Sequence, residues 1–321
     1  MRRPYARICR MSQRIVYFNG RYVPESEARL SIYDSALVMG DMAFEVTRTV
    51  GGRPFRLADH LRRLFHTLAA LRIDPGVSPE ELRKISEETL ARNVGAEPAD
   101  VDWNIIHNVS RGPVTALRDA FTPAEMRPTV IVSCFPLIEK LGSLAPAYDA
   151  GIDLVVPAQR SLPGELLDDS LKTRSRLHYQ LANLQAAEIQ SGAWAVMLDP
   201  AGNLTEGTSG NLFVVWPGEL VTPRGDNLLP GLTRQMVIDL AADNGIACRE
   251  TDLTPADAVD SDEIFMTATS IGIVHARSFQ GTPIGDGRIG PVTARLRAAL
   301  SKAVGVDFAA QAARYAKMRG G

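Results

Sequence analysis

A lysine followed by two arginines at alternate positions, Lys172-Thr173-Arg174-Ser175-Arg176, closes a loop marked by Leu162-Pro163-Gly164 and opens an apolar helical pattern. Like charge and burial both lower an amine's pKa, and the neutral amine is the form that condenses with a carbonyl. The same residues also read as a solvated basic cluster where a helix begins, as most lysines do. Three further stretches put polar or small residues where apolar runs break. In Leu204 to Val215, Glu206 opens a small-residue loop that leads into a continuous apolar strand. Small residues there let the backbone approach a planar ligand closely. Leu229-Pro230-Gly231-Leu232-Thr233-Arg234 opens a helix expected over Gln235–Asn244. Gly231 and Thr233 at a helix N-terminus offer N–H groups and a hydroxyl that suit phosphate, and Thr233 reads equally well as a plain N-cap. Ile264 to Ser270 is an apolar strand ending in small and hydroxyl residues.

Elements to hold these residues follow from periodicity. Asn19-Gly20 between Ile15–Phe18 and Arg21–Val23 predicts a hairpin. Ala43–Val50 alternates as a half-buried strand that Gly51-Gly52 turns back. A helix begins at Ala58 with Leu61, Leu64, Leu68 and Leu71 on one face, and Arg63 beside that face reads either as a surface residue or as a ligand-binding one. A second helix is expected over 78–94, and strands over 101–110 and 129–135. Residues 137–151, rich in Pro, Gly and Ala without a clear period, read as an interdomain connection. Beyond it come a strand at 152–156, a helix over 176–191 with Leu177, Leu181 and Leu184 on one face, a strand at 193–198, and two short helices in 291–318. The pattern is α+β. It divides into a leader at 1–14, a small domain at 15–136, the connection at 137–151 and a larger domain at 152–321.

Composition limits the alternatives. The chain has 321 residues, 45% hydrophobic and 22% charged, enough for about two cored domains. A formal net charge of −2 gives no electrostatic reason to expect nucleic acid or an anionic membrane as a partner. No apolar run reaches the length of a membrane span. Three widely spaced cysteines make neither a disulfide framework nor a metal site, which fits a cytoplasmic protein. Residues 1–14 carry five arginines and no acid but no apolar core after them, and read as a loosely attached leader with Met11 as a second candidate start.

Taken in order, the four stretches, with Gly40-Asp41, Phe44-Glu45 and His60-Leu61-Arg62-Arg63-Leu64, resemble the fold-type IV, class IV aminotransferases. These enzymes use pyridoxal 5′-phosphate and include branched-chain, D-amino acid and (R)-amine transaminases and aminodeoxychorismate lyases. The resemblance spans Val16 to Phe308. It implies a small α/β N-terminal domain and a larger, mixed, β-barrel-like domain that binds the cofactor. It also implies a homodimer acting on an amino donor and a 2-keto acid with ping-pong kinetics, and no metal. By the same resemblance Lys172 matches the Schiff-base lysine and proton carrier. Glu206 matches the carboxylate facing the pyridine nitrogen, and Arg63 the phosphate arginine. Gly231, Leu232, Thr233, Ala268 and Thr269 match the phosphate loops, and Asn211 a position near the cofactor.

Departures from the family patterns leave the sub-family open, with an aminodeoxychorismate-type lyase as the alternative. Val46 replaces the glycine that branched-chain enzymes carry after Phe-Glu, although Arg48 is kept. Leu37 stands where D-amino acid enzymes carry a tyrosine, and Ala120 where they carry a histidine. Leu177 replaces the tyrosine on the cofactor's phenolic oxygen, a place that Arg176 or Tyr179 can take. Leu37, Phe44 and Arg118 are the substrate-side candidates, with Arg118 expected to read an α-carboxylate from a mobile loop.

Overall fold

Two runs of β-forming residues flank Asn19-Gly20, and both turn residues take positive φ, as a tight hairpin requires. The resulting strands, β1 (Ile15–Phe18) and β2 (Arg21–Pro24), begin the chain as described by a computed structural model. It describes residues 14–122 and 125–320, without the side chains of Leu117, Arg118, Asn227 and Gly320. The leader expected at 1–14 lies outside the described residues except for Arg14. Two units emerge, one running to Leu137 and taking in Leu171–Ser175, the other comprising Ile138–Ser170 and the chain from Arg176.

The first unit is a six-stranded sheet. Helix α1 (Ser35–Met39) follows the hairpin, then β3 (Met42–Val50), β4 (Arg53–Pro54), α2 (Leu57–Ala70), α3 (Pro79–Ala91), β5 (Trp103–Ser110) and β6 (Thr129–Pro136). The strand order is β2-β1-β6-β5-β3-β4. Leu61, Leu64 and Leu68 of α2 are buried with Trp103, Ile105 and Val132 of the sheet. Each such leucine contributes roughly 1.5–3 kcal/mol on leaving water. Helix α1 is held at both ends. Asp34 caps it through Ala36 N–H and also accepts from Ser110 and Thr129 hydroxyls, while Gly40 ends it in the left-handed region.

The second unit contains a closed ring of strands. Its elements are α4 (Ile138–Ala150), β7 (Ile152–Val155), α5 (Leu177–Ile189), β8 (Trp194–Leu198), β9 (Leu204–Gly207), β10 (Gly210–Trp216), β11 (Glu219–Pro223), α6 (Leu232–Asp243), β12 (Ala247–Thr251), α7 (Pro255–Val259), β13 (Glu263–Ala268), β14 (Gly272–Phe279), β15 (Thr282–Pro283), α8 (Pro291–Val304) and α9 (Phe308–Gly320). The path β10-β13-β14-β7-β8-β9 closes because β9 also pairs β10, with β11 and β12 extending it. The ring is mixed: β7 runs parallel to both β8 and β14, the other ring pairs antiparallel. Phe213 and Phe265, paired across β10 and β13, stack with ring centroids 5.0 Å apart.

Two local expectations, at α4 and at the start of α6, differ from what folds. Residues 138–150, expected as connecting chain, are helix α4, with Ile138, Leu141 and Tyr148 buried and Pro146 inside the helix. Gly142 looks like a loop residue in sequence, but a Cβ there would come within 2.9 Å of Tyr315 O, so it serves close packing of α4 on α9. Helix α5 buries Ala182 and Ala186 against the ring, and Leu177, Leu181 and Leu184 face out. Helix α6 begins at Leu232 with Gly231 as N-cap and no side-chain cap, so Thr233 sits inside the first turn rather than capping it.

Candidate active site

Backbone pairing fixes the lysine in the first unit. Phe44 N–H donates to Lys172 O at 2.9 Å, and Arg174 N–H donates to Met42 O at 2.8 Å, around an antiparallel bridge between Ala43 and Thr173. Lys172 N–H in turn donates to Thr67 Oγ1 of α2 at 3.2 Å. Residues 172–174 thus run as a short strand along β3, and alternate residues share a face. Lys172 and Arg174 both lie on the Phe44 ring, with Nζ at 4.9 Å and the guanidinium carbon at 3.9 Å from its centroid. Gly40 belongs to the same arrangement. Ser175 Oγ donates to Gly40 O at 3.0 Å, and a Cβ on Gly40 would stand 2.9 Å from that hydroxyl.

Arg63 points its guanidinium at Glu45, with Nε to Oε2 and Nη2 to Oε1 both at 2.8 Å. His60 Nδ1 stands 3.1 Å from the same carboxylate, which is fully buried. Burial alone would raise the Glu45 pKa, but the charge of Arg63, the His60 and Arg63 hydrogen bonds and the charge of Lys172 outweigh it. The carboxyl is held well below the usual carboxylate range. His60 is pushed down, mainly by burial, against the pull of Glu45. Glu45 is therefore the hub that orients Arg63, a role sequence reasoning missed. The signal available was an acid on a strand shortly before a helix carrying His-x-x-Arg on one face. Arg48 is a separate case: it is buried against Asp102 and Thr49 O within the core.

A second cluster gathers in the other unit, at one end of the ring. Asn211 on β10 pairs in register with Glu206 on β9 and with Thr267 on β13. Its amide donates to Glu206 Oε2 and to Leu229 O, each at 3.1 Å. Gly231, next along, admits no side chain, since a Cβ would fall 2.0 Å from Asn211 Oδ1. That contact brings the start of α6 beside the carboxylate. The first N–H groups of α6, at Leu232, Thr233 and Arg234, have no carbonyl partners within the helix, which suits an anion. Ala268 and Thr269 form the tight turn from β13 to β14, closed by Ile271 N–H to Ala268 O at 3.2 Å.

Tyr179 settles on this carboxylate as well. Its hydroxyl donates to Glu206 Oε1 at 2.8 Å, and the Arg176 guanidinium lies 4.1 Å from its ring centroid and donates to Thr208 O. Burial, and then the charge of Glu206, push the Tyr179 hydroxyl far above its ordinary pKa, so it stays a donor. Leu37 is 64% exposed on α1, and Phe44 is buried under Lys172. The side chain of Arg118, on the turn Thr115–Ala120, lies outside the described residues.

Each unit, taken by itself, carries groups of the kind that suit pyridoxal phosphate. The first unit supplies an amine fixed on sheet-paired backbone and a guanidinium for phosphate. The second supplies a buried carboxylate for a pyridinium nitrogen and a helix start that its glycine keeps open.

The family model for amino-transferase class IV matches residues 42–279. A branched-chain-amino-acid aminotransferase of Escherichia coli K12 is 30% identical over 291 residues, 88% of this chain and 91% of that one. A D-alanine aminotransferase of Listeria monocytogenes is 30% identical over 287 residues, 88% and 93% of the two chains. Among solved structures, the T.th. branched-chain amino acid aminotransferase complexed with N-(5′-phosphopyridoxyl)-L-glutamate superposes with a TM-score of 0.80. That pair is 28% identical, covering 92% of this chain and 95% of the other.

Proposed function

Since this chain belongs to the class IV amino-transferase family, we propose that it is a pyridoxal-phosphate-dependent aminotransferase that moves an amino group between an amino acid and a 2-keto acid, with substrates of the branched-chain or D-amino acid kind. When bound, the cofactor supplies a carbonyl to carry the amino group and a ring that accepts electron density from the substrate carbon. The observation that carries the reading is Lys172, whose backbone is pinned on both sides while its amine lies on Phe44. A rigid backbone beneath a flexible amine suits a group that would take the substrate's α-proton as general base and then, as general acid, deliver it to a neighbouring carbon.

The other residues take supporting roles. Glu206, held by Tyr179 and Asn211, would face the cofactor's ring nitrogen and favour its protonated form. In the first unit Arg63, oriented by Glu45, suits the phosphate; in the second the start of α6 and the Ala268–Thr269 turn offer N–H groups that suit the same kind of anion.

Two features support a homodimer. Leu37, Val38 and Met39 of α1 are 64%, 51% and 72% exposed, and Leu177 and Leu184 of α5 are 71% and 53% exposed. Apolar patches of this kind mark protein interfaces. The unpaired Cys134 and Cys248 suit a cytoplasmic compartment, and no helix among the described residues is long and apolar enough to cross a membrane.

The test is spectroscopic. Purified protein with pyridoxal phosphate should be yellow, bleach on adding an amino donor, and recover on adding a 2-keto acid. Lys172→Ala should bind cofactor without a borohydride-reducible covalent attachment and show no turnover. Covalent trapping in that variant would remove the reading.

A further inference from the structure

Arg174 is an exposed cation held on the same strand face as Lys172, and its placement is set by three paired strands. Segment 172–174 pairs with β3 at Ala43, and β3 pairs with β5 so that Phe44 stands opposite Asn108. The Arg174 side chain crosses both positions. Its guanidinium carbon stacks 3.9 Å from the Phe44 ring centroid, and its Nε donates to Asn108 Oδ1 at 2.9 Å. Both contacts fix the plane of the guanidinium, so less entropy is lost when it binds an anion.

Resting on the aminotransferase reading, we propose that Arg174 binds the α-carboxylate of the amino-acid substrate and so selects amino acids over simple amines. The α-carboxylate is one bond from the carbon that carries the amino group. A residue that reads it must therefore lie close to the lysine that exchanges that group. Arg174 meets this condition, because its guanidinium and the Lys172 amine lie on one aromatic ring. A guanidinium matches a carboxylate with two parallel N–H donors, and an ammonium cannot reproduce that geometry. Phe44 acquires a role here as the platform that sets the spacing between the two cations. A side-chain carboxylate is farther from the reacting carbon, so an apolar amino acid depends on Arg174 as much as an acidic one.

The experiment uses the holoenzyme. Arg174→Ala and Arg174→Lys are compared with the unaltered protein on leucine in both configurations, on glutamate, and on 3-methylbutylamine, which is leucine without its carboxylate. Binding of 4-methylvalerate, a carboxylate without the amine, is measured separately by calorimetry. Arg174→Ala should lower kcat/KM for the amino acids about tenfold to a hundredfold and weaken 4-methylvalerate by a similar factor. It should leave the amine's kcat/KM unchanged, and Arg174→Lys should recover part of the loss. Three results overturn the proposal: equal losses with amine and amino acid, no loss with either, or a loss confined to glutamate. Arg118→Ala, run alongside, overturns it if that variant shows the carboxylate-selective loss and Arg174→Ala does not. Absence of any donor-dependent bleaching in the unaltered protein removes the aminotransferase reading itself, and this inference with it.

Discussion

The Tyr179 hydroxyl donates to Glu206 Oε1 at 2.8 Å while Asn211 donates to the other carboxylate oxygen at 3.1 Å, so two neutral donors from different elements grip one buried acid. A buried carboxylate without donors would protonate, and a protonated acid cannot hold a pyridine nitrogen in its charged form. Tyr179 engages the carboxylate, and Arg176 lies over its ring.

Tyr179→Phe should therefore slow the half-reaction on the order of tenfold, the size of one hydrogen bond to a charged group. Glu206→Gln should slow it by orders of magnitude, because the amide cannot keep the ring nitrogen protonated. Single-turnover decay of the cofactor band measures both. A rate unchanged in Tyr179→Phe would assign the tyrosine to packing alone.

Arg63→Ala should cost fold stability as well as cofactor affinity. The change strands Glu45, a fully buried carboxylate that receives two hydrogen bonds from Arg63. Breaking a buried pair from one side costs about 3–5 kcal/mol. Urea unfolding of the apoprotein should show that loss, and Glu45→Gln added to Arg63→Ala should recover part of it. Equal stability of Arg63→Ala and the unaltered apoprotein would mean Glu45 is held by other groups.

The local groupings were legible because their residues sit in short segments. Lys172 with its flanking arginines, the Glu206-to-Asn211 spacing across a hairpin, and Gly231 before a helix are all local patterns. Glu45 was not legible, because its partners His60 and Arg63 come from a helix that folds back on the strand. Helix α4 was hidden by Pro146 and by Gly142, whose reason for being glycine is α9, far along the chain. The leucines of α5 announced an apolar face correctly, but periodicity does not say which side of a helix meets its own ring and which meets water.

His107 should make stability pH-dependent. It is fully buried, with Nε2 2.7 Å from Ser86 Oγ, and burial, opposed by the charge of Glu45, holds its pKa down to about 4. An unfolded histidine takes its proton near pH 6.5, so between there and about 4 the unfolded chain binds more protons. This contribution is fully present above roughly pH 6.5 and is lost as pH falls toward 4. The urea midpoint should drop between pH 7 and 5, and His107→Gln, which keeps a partner for Ser86, should flatten that slope. An identical slope in the variant would place the titration elsewhere.

The outward leucines of α5 lead to the last expectation. Leu177 and Leu184 are 71% and 53% exposed and Leu181 is 40% exposed, at spacings that put them on one helical stripe. The same helix already satisfies its own ring through Ala182 and Ala186, so the leucines contribute little to the fold of this chain. Replacing Leu177 and Leu184 with arginine should then leave the unfolding midpoint of an isolated chain nearly unchanged. A stable dimer buries about 1,200–2,000 Å² or more, and two charges forced into that area without partners would cost several kcal/mol. Sedimentation at micromolar concentration should give a dimer for the unaltered protein and a monomer for the double variant. Leu37→Arg on α1 tests the second patch in the same way. A monomeric unaltered protein, or a double variant that still sediments as a dimer, would remove α5 from the interface.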